Sequence, residues 1–372
     1  MGNKIRVLMV TSTIGVCDGV STFVMNYCRQ LDWDHICVDI ATYDEKALDS
    51  GSPYIKQIEE MGGRIFCLPG LSNIWRHFSE LSRILDEGHY DVIHNNTLIQ
   101  TIPLMAMAKK KKIPVRILHS HSTRLSSDGV KRIRNRLLLP VLLGCTTHYC
   151  ACAEAAGRAM FGKKPFRVIP NILCAEGWHF DADARDRVRS AMNVGENKVI
   201  GTVGRTSTEK NPFFALDVIR ELLKIAPQTE YWWIGDGPLD DSMHEYADKI
   251  GISGSVRFLG RRNDMRDLYQ AMDCFFLPSL FEGLPMTGVE AQAMGLPMAV
   301  SDTVTKEMVY TDLVSFISLT EEKEGWARQI NALLSRNVNR EEYHDKLRKS
   351  AFSSDCCGER LQSIYREMLR AK

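Results

Sequence analysis

Short apolar runs punctuate the chain at regular intervals. "IRVLMV" (5–10), "HICVDIA" (35–41), "GRIFCLP" (63–69), "DVIH" (91–94), "VRILHS" (115–120), "THYCACA" (147–153) and "FRVIP" (166–170) are nearly continuous in apolar residues, as strands covered on both faces are. Between them residues 19–30, 53–61, 98–109 and 129–143 carry the three-to-four spacing of helices. A second series follows: "VIGTVG" (199–204), "EYWWIG" (230–235), "SVRFLG" (255–260), "CFFLP" (274–278), "PMAVS" (297–301) and "SFIS" (315–318). Helical stretches at 212–225, 239–250, 264–271 and 286–294 interleave with it. Buried strands alternating with helices predict a parallel, doubly wound α/β sheet, and two series predict two such domains. The segment 170–186, "PNILCAEGWHFDADARD", follows neither period and reads as the linker. The boundaries expected are therefore 1–172 and 173–354. A last helix within 355–372 has no strand after it and is free to pack back on the first domain.

A length of 372 residues exceeds one ordinary core and suits two domains. The net charge of +1 gives no reason to expect nucleic acid. Its distribution is uneven. Residues 1–176 hold 22 Lys and Arg against 16 Asp and Glu, the remainder 25 against 30. Most of the basic excess lies in 109–136, with "KKKK" (109–112), "KRIRNR" (131–136) and one acid, Asp128. That stretch reads either as a solvated surface or as a patch facing an anionic membrane without entering it. The 11 cysteines form no CxxC pair, the pattern of a reduced, cytoplasmic protein without a structural zinc site or a disulfide framework. The longest apolar run, 137–145, is far short of a membrane span.

Open α/β sheets bind ligands beyond the C-terminal ends of their strands. After the first strand, Gly15 and Gly19 flank a loop that opens a helix, either a plain turn or a ligand loop. The loop is not GxGxxG, and only Asp39 could serve as the acid of a dinucleotide site, so a nicotinamide fold is poorly supported. "HSHS" places His119 and His121 at a strand end, as structural histidines or as hydrogen-bond partners of a hydroxyl or phosphate. In the second series Gly204 and Arg205 end a strand and Lys210 follows before a helix, an anion site with one forked and one point charge. Gly235 and Gly237 let the backbone approach a bulky ligand. Arg257 and Phe258 lie in "SVRFLG", whose strand-end backbone groups could pair with a base edge. In "CFFLPSLFEGLPMTGVEAQAMGLP" a helix starts near Pro285, and the N–H groups of Leu284, Met286 and Thr287 could hold a diphosphate. Glu282 and Glu290 flank that terminus. Beside a phosphate they suit sugar hydroxyls, which donate to a carboxylate in strong, oriented bonds. A cationic clamp, a helix end and two acceptors together describe a nucleotide-sugar site.

The motifs Glu282-x7-Glu290, Gly204-Arg205-x4-Lys210, "GDGP" (235–238), "EAQAMGLP" and the N-terminal glycine loop resemble the retaining GT-B glycosyltransferases of family 4, in particular those of bacterial exopolysaccharide and capsule assembly. The resemblance runs over nearly the whole chain and implies two Rossmann-like domains facing each other across a cleft, the N-terminal one for acceptor and the C-terminal one for donor. It implies that Arg205 and Lys210 bind the donor diphosphate, that Glu282 contacts the donor sugar and Glu290 the ribose, and that His119 lies near the transferred sugar, with His121 adjacent. It further implies a nucleotide sugar, UDP-linked, as donor, a glycan or lipid-linked acceptor, and a cytoplasmic enzyme at the inner face of the plasma membrane. No cofactor is expected, and no metal, since no DxD pair ends a strand. Two departures stand out. The family pairs two glycines in the first loop, where this chain has Gly19 alone. Its linker reads "PNGID", here "PNILC" (170–174). A nucleotide-sugar epimerase and a non-catalytic sugar-nucleotide module remain as alternatives.

Overall fold

The computed structural model describes residues 4–15, 18–45, 51–70, 74–126 and 128–371. They form two compact units, one of residues 1–172 with 354–372, the other of 173–353. In the first unit follow β1 (Ile5–Thr11), α1 (Gly19–Cys28), β2 (Ile36–Thr42), α2 (Pro53–Glu60), β3 (Ile65–Cys67), α3 (Ile74–Gly88), β4 (Val92–Asn95), α4 (Ile102–Lys110), β5 (Val115–Ser120), α5 (Gly129–Cys145), β6 (His148–Ala151), α6 (Glu154–Phe161) and β7 (Arg167–Val168). The second holds α7 (Ala182–Ala191), β8 (Lys198–Val203), α8 (Pro212–Ile225), β9 (Thr229–Ile234), α9 (Asp240–Lys249), β10 (Val256–Gly260), α10 (Met265–Ala271), β11 (Cys274–Leu277), α11 (Met286–Ala293), β12 (Met298–Ser301), β13 (Val314–Ile317), α12 (Lys323–Leu334) and α13 (Tyr343–Arg348). The chain then returns to the first unit with α14 (Cys357–Arg370).

Every apolar run singled out in the sequence forms a strand. The first sheet runs β3-β2-β1-β4-β5-β6-β7 and the second β10-β9-β8-β11-β12-β13. The pairings are parallel in both, with Val7 beside Val38 and Val92, and Ile200 beside Tyr231 and Cys274. Both sheets are doubly wound. Their strand order reverses between β1 and β4, and between β8 and β11, the positions where such sheets place ligands.

The linker reading of 170–186 needs correction, because α7 begins inside it at Ala182. Apolar spacing could not reveal this helix, which buries only Ala184. Charge and capping hold it instead. Asp181 accepts from the amides of Asp183 and Ala184 at its start. Arg185 pairs with Asp273 at 2.7 Å and donates to the carbonyls of Gln270, Ala271 and Met272, where α10 ends. Arg189 reaches the same carboxylate at 3.3 Å.

The second core is built on Tyr231, Trp233, Phe276 and Trp326, all fully buried. The first includes Leu361, Ile364, Tyr365 and Met368 of α14 beside Phe23 and Tyr27 of α1. Close approach of α14 to α1 requires a glycine, since a Cβ on Gly358 would stand 1.6 Å from the carbonyl oxygen of Gln30. Gly144, at the end of α5, has open space around its missing Cβ. Gly358→Ala is expected to destabilise the protein by about 1–3 kcal/mol through overpacking. Gly144→Ala should leave it equal or up to about 1 kcal/mol more stable. Thermal melts of the two variants check this, and equal shifts would remove the packing explanation.

Candidate active site

At the switch point of the second sheet the loops leaving β8 and β11 run side by side. The amide of Leu280 donates to the carbonyl of Glu209 at 2.8 Å, and Asn211 donates its side-chain amide to the carbonyl of Pro278 at 3.2 Å. Asn211 adopts the left-handed conformation, with φ at 56°, and hands the chain to α8, whose first residue is Pro212. This crossing brings two residues of the sequence-predicted site together. Lys210 Nζ lies 2.6 Å from Glu282 Oε1, both side chains being mostly buried. Ser279 Oγ donates to the same oxygen at 2.7 Å. Arg205 stands exposed on the same loop, and its guanidinium makes no ion pair or hydrogen bond with the described side chains. Gly204 lies under this side chain, and a Cβ there would sit 2.7 Å from Lys210 Cε.

The helix after β11 starts at Met286 with Pro285 as its N-cap and no side chain capping it. Gly288 and Val289 donate to the carbonyl of Pro285, whereas the amides of Leu284, Met286 and Thr287 have no backbone acceptor. The Oγ1 of Thr287 is buried without a partner. Open amides and an orphan hydroxyl at a helix start favour an anion or a hydroxylated ligand. One turn further, Glu290 Oε2 accepts from the hydroxyl of Tyr269 in α10 at 2.9 Å. Burial pushes the Glu290 carboxyl up to about 7, against which the Tyr269 bond and the charge of Arg266 act only in part. The two glutamates thus differ in kind. Glu282 faces a cation, and Glu290 a phenol.

Other predicted residues take different places. A Cβ on Gly235, whose φ is +134°, would stand 2.2 Å from the carbonyl oxygen of Gly204, and one on Gly237 would stand 2.7 Å from that of Thr206. These glycines make room for the neighbouring loop. Arg257 is second in β10, at the end of the strand away from the switch-point loops, and pairs with Glu230 at 2.8 Å. That removes it from the ligand edge. Phe258 packs against His244, ring centroids 4.1 Å apart, and against the second core. The backbone at that strand end is itself occupied, the carbonyl of Gly260 accepting from Gly235.

In the first unit Gly15 precedes α1 and Gly19 begins it, with Asp18 capping through its carboxylate to the Ser21 amide at 2.8 Å. Space beyond Gly19 is open. Val16 and Cys17 of this loop lie outside the described residues. Asp39 is buried under Arg64 and the hydroxyl of Tyr90, both at 2.7 Å, so it is a structural anchor and no ribose partner.

The two histidines lie side by side at the end of β5. His119 is 1% exposed. Its Nδ1 meets Nε2 of His94 at 2.9 Å, and His94 Nδ1 meets the Tyr365 hydroxyl at 2.7 Å. His119 therefore belongs to a packed polar row between β4, β5 and α14, and its Nε2, like Nδ1 of His121, is buried without a partner among the described residues. His121, one step beyond the strand, is partly exposed and stacks on His119 at 4.1 Å, with Phe23 edge-on to both rings. Asn96 donates to the carbonyl of His94, which leaves its Oδ1 to accept from His121 Nε2 at 2.9 Å. That bond fixes the tautomer and makes Nδ1 of His121 the acceptor. Burial drives all three imidazoles down, His94 and His121 to about 3 and His119 well below its usual range, where its two histidine neighbours add to the effect. They are neutral at pH 7. His94 and Asn96 escaped the sequence reading, although "DVIHNN" ends β4, the strand beside β5. Tyr269 and Ser279 had no motif to mark them.

In 109–136 the lysines are partly engaged. Lys109 donates to the carbonyl of Gly144 at 2.8 Å, and Lys111 pairs with Asp86 at 2.5 Å.

Among family models, glycosyl transferases group 1 matches residues 185–353 and glycosyltransferase family 4 matches 17–173. The chain is 32% identical to the putative glycosyltransferase EpsF of Bacillus subtilis over 87% of its own length and 86% of the relative's. It is 26% identical, over 60% of each chain, to the UDP-Gal:alpha-D-GlcNAc-diphosphoundecaprenol alpha-1,3-galactosyltransferase of Escherichia coli. Among solved structures, Anabaena HepE in complex with UDP and glucose superposes with a TM-score of 0.80 at 16% identity, over 97% of this chain and 99% of that one. WaaG, of lipopolysaccharide biosynthesis, gives 0.72 at 15%, over 96% and 99%.

The raised Glu290 carboxyl has a measurable consequence. A carboxyl that holds its proton more tightly in the folded state stabilises the fold at low pH, and that contribution is lost as pH rises from the usual carboxylate range through about 7. Gln at 290 cannot ionise. Glu290→Gln should therefore melt near wild type at pH 5 and above it at pH 8, the gap growing by no more than about 1.4 kcal/mol per pH unit. Parallel pH profiles would contradict the assignment.

Proposed function

The chain belongs to the group 1 glycosyl transferases, with their GT-B fold, and we propose that it moves a sugar from a UDP-linked donor to a hydroxyl of a glycan or lipid-linked acceptor, with retention, in surface polysaccharide synthesis. The observation that carries this reading is the convergence, at one switch point, of Lys210, Arg205, the open amides at the start of α11, and two carboxylates in unlike surroundings. The uridine base rests on the donor named for the E. coli relative and the UDP in HepE.

In this reading the diphosphate takes Arg205, Lys210 and the amides of Leu284, Met286 and Thr287. Lys210 must then turn from Glu282, which Ser279 continues to hold. The carboxylate then accepts from sugar hydroxyls. Glu290 accepts from the ribose. In the transfer the bond from the anomeric carbon to the phosphate oxygen breaks, the bond to the acceptor oxygen forms on the same face, and the acceptor proton passes to the leaving phosphate. Negative charge grows on the phosphate as the bond breaks, so fixed cations and amides aimed there lower the barrier. Those groups supply the charge a divalent metal would otherwise bring, and we propose that none is required. His121, with Asn96 behind it, is the ring that the first unit offers to a hydroxyl. A lipid-linked acceptor would bring that unit to the cytoplasmic face of a membrane.

Lys210→Ala should lower kcat/KM about a hundredfold, about 2.7 kcal/mol of transition-state stabilisation. It should also lower the melting temperature somewhat, because the mostly buried Glu282 loses its ion pair with Lys210. Turnover of UDP-sugars on a lipid-diphosphate acceptor, with and without a chelator, is the assay. Activity within about threefold of wild type would refute the Lys210 assignment, and a chelator-sensitive rate would refute the metal-free reading. Donor conversion without acceptor would identify an epimerase instead.

A further inference from the structure

Three imidazoles lie nearly parallel at the ligand end of the first sheet. His94 stacks on His119 with ring centroids 5.2 Å apart and planes 20° apart, and His119 stacks on His121 at 4.1 Å and 29°. Phe23 of α1 stands steeply to all three, with centroids 6.1, 4.9 and 4.8 Å away. Tyr365 of α14 meets the far ring, His94, edge-on at 88°. His94 and Tyr365 are both fully buried, and the reaction proposed above uses neither.

The hydrogen bonds along this stack favour one direction. The Tyr365 hydroxyl and His94 Nδ1 are 2.7 Å apart, and His94 Nε2 and His119 Nδ1 are 2.9 Å apart. A neutral imidazole carries one proton, so each ring donates at one nitrogen and accepts at the other. In one direction Tyr365 donates to His94, His94 Nε2–H donates to His119, and His119 keeps its proton on Nε2. In the other, His119 donates first and His94 donates to the tyrosine oxygen. The phenol proton is then stranded, because its hydroxyl has no partner but His94 among the described residues, and a buried donor left unpaired is costly. The carbonyls of Ala151 and Ile169 decide the same way. They act on the His119 ring in the sense that favours an N–H. With Nδ1 turned to His94, the nitrogen they act on is Nε2, although neither completes a hydrogen bond with it.

The row therefore starts at a hydroxyl of the last helix and ends beneath His121. It sets the tautomer of His119, and so the direction of the dipole in the ring on which His121 rests. Asn96 separately fixes His121 from its Nε2 side, and the Nδ1 left as acceptor is buried and unpartnered among the described residues. We propose that Tyr365 and His94 are positioning residues for His121: the Tyr365 hydroxyl, acting through His94, fixes the tautomer and plane of His119, and that ring holds His121 where its Nδ1 receives a substrate hydroxyl. The role of His121 rests on the transferase reading under Proposed function; the direction of the row does not.

Imidazole nitrogen NMR of the histidine-labelled full chain at neutral pH reads the tautomers directly. His94 and His119, identified by the signals missing from His94→Gln and His119→Gln, should each carry the proton on Nε2 in wild type. Tyr365→Phe removes only the hydroxyl and should leave the two rings as a mixture of tautomers. In turnover of a UDP-sugar on a lipid-diphosphate acceptor its kcat should fall about tenfold to a hundredfold, with donor KM unchanged. Tyr90→Phe is the control. It loses a similarly buried hydroxyl bond, to Asp39 at 2.7 Å, ahead of β4, and should lower the melting temperature alike while leaving tautomers and kcat as they are. In a His121→Ala background Tyr365→Phe should cost no more than about twofold, as residues acting through one another require. His94→Gln, whose amide can accept from Tyr365 and donate to His119, should keep more of kcat than His94→Ala. A wild-type proton on Nδ1 of His119 would overturn the proposal. So would a Tyr365→Phe kcat within about twofold of wild type, a loss equal with and without His121, or equal losses in the two His94 variants. If wild type transfers no sugar, the transferase reading falls, and the NMR result still decides the direction of the row.

Discussion

Lys210 and Glu282 are 72 positions apart in sequence and 2.6 Å apart in space because β8 and β11 are neighbours at the point where the second sheet reverses its strand order. Much else in that unit serves this meeting. Gly235 and Gly237 let the loop after β9 lie against the loop after β8, since a Cβ at either would strike the backbone of Gly204 or Thr206. The Leu280 amide ties the β11 loop to Glu209, and the Ser279 hydroxyl donates to the Glu282 carboxylate. An ion pair this far from water is costly unless its geometry is good and its other partners are present. In the proposed reaction the diphosphate would take the cation, and sugar hydroxyls the carboxylate.

The contrast between the two glutamates sharpens that account. Glu282 has a lysine and a serine within 2.7 Å. Glu290 has a tyrosine at 2.9 Å, and its carboxyl is pushed up to about 7. The first faces an ammonium, and the second is close to balance between its two forms. Hydroxyl donors from a ribose would tip Glu290 toward the ionised form, in which it accepts most strongly.

Much of the architecture was legible because buried parallel strands leave continuous apolar runs, and thirteen such runs are strands here. The helix at 182–191 was not, because salt bridges and carbonyl capping hold it and these have no period. The second-unit motifs were legible because their residues sit at strand ends, where spacing alone brings Lys210 and Glu282 toward one edge. Sequence gave no way to tell a glycine that admits a ligand from one that admits a neighbouring loop, hence the different part now given to Gly235. Nor could it tell which of two alternating histidines faces inward. His119 is buried against His94, which in turn meets the hydroxyl of Tyr365 from the far end of the chain. Arg257 misled because "SVRFLG" is a strand whose second residue lies away from the ligand edge.

If Lys210 is shared between Glu282 and the donor diphosphate, the carboxylate competes with nucleotide in the free protein. Calorimetric titration of Glu282→Gln with UDP alone, which carries no sugar for residue 282 to touch, isolates that competition. The account requires UDP to bind more tightly than to wild type, by about fivefold or about 1 kcal/mol, while sugar transfer falls. UDP binding that weakens in step with transfer would mean that Glu282 positions the lysine and does not compete for it, and would contradict the account.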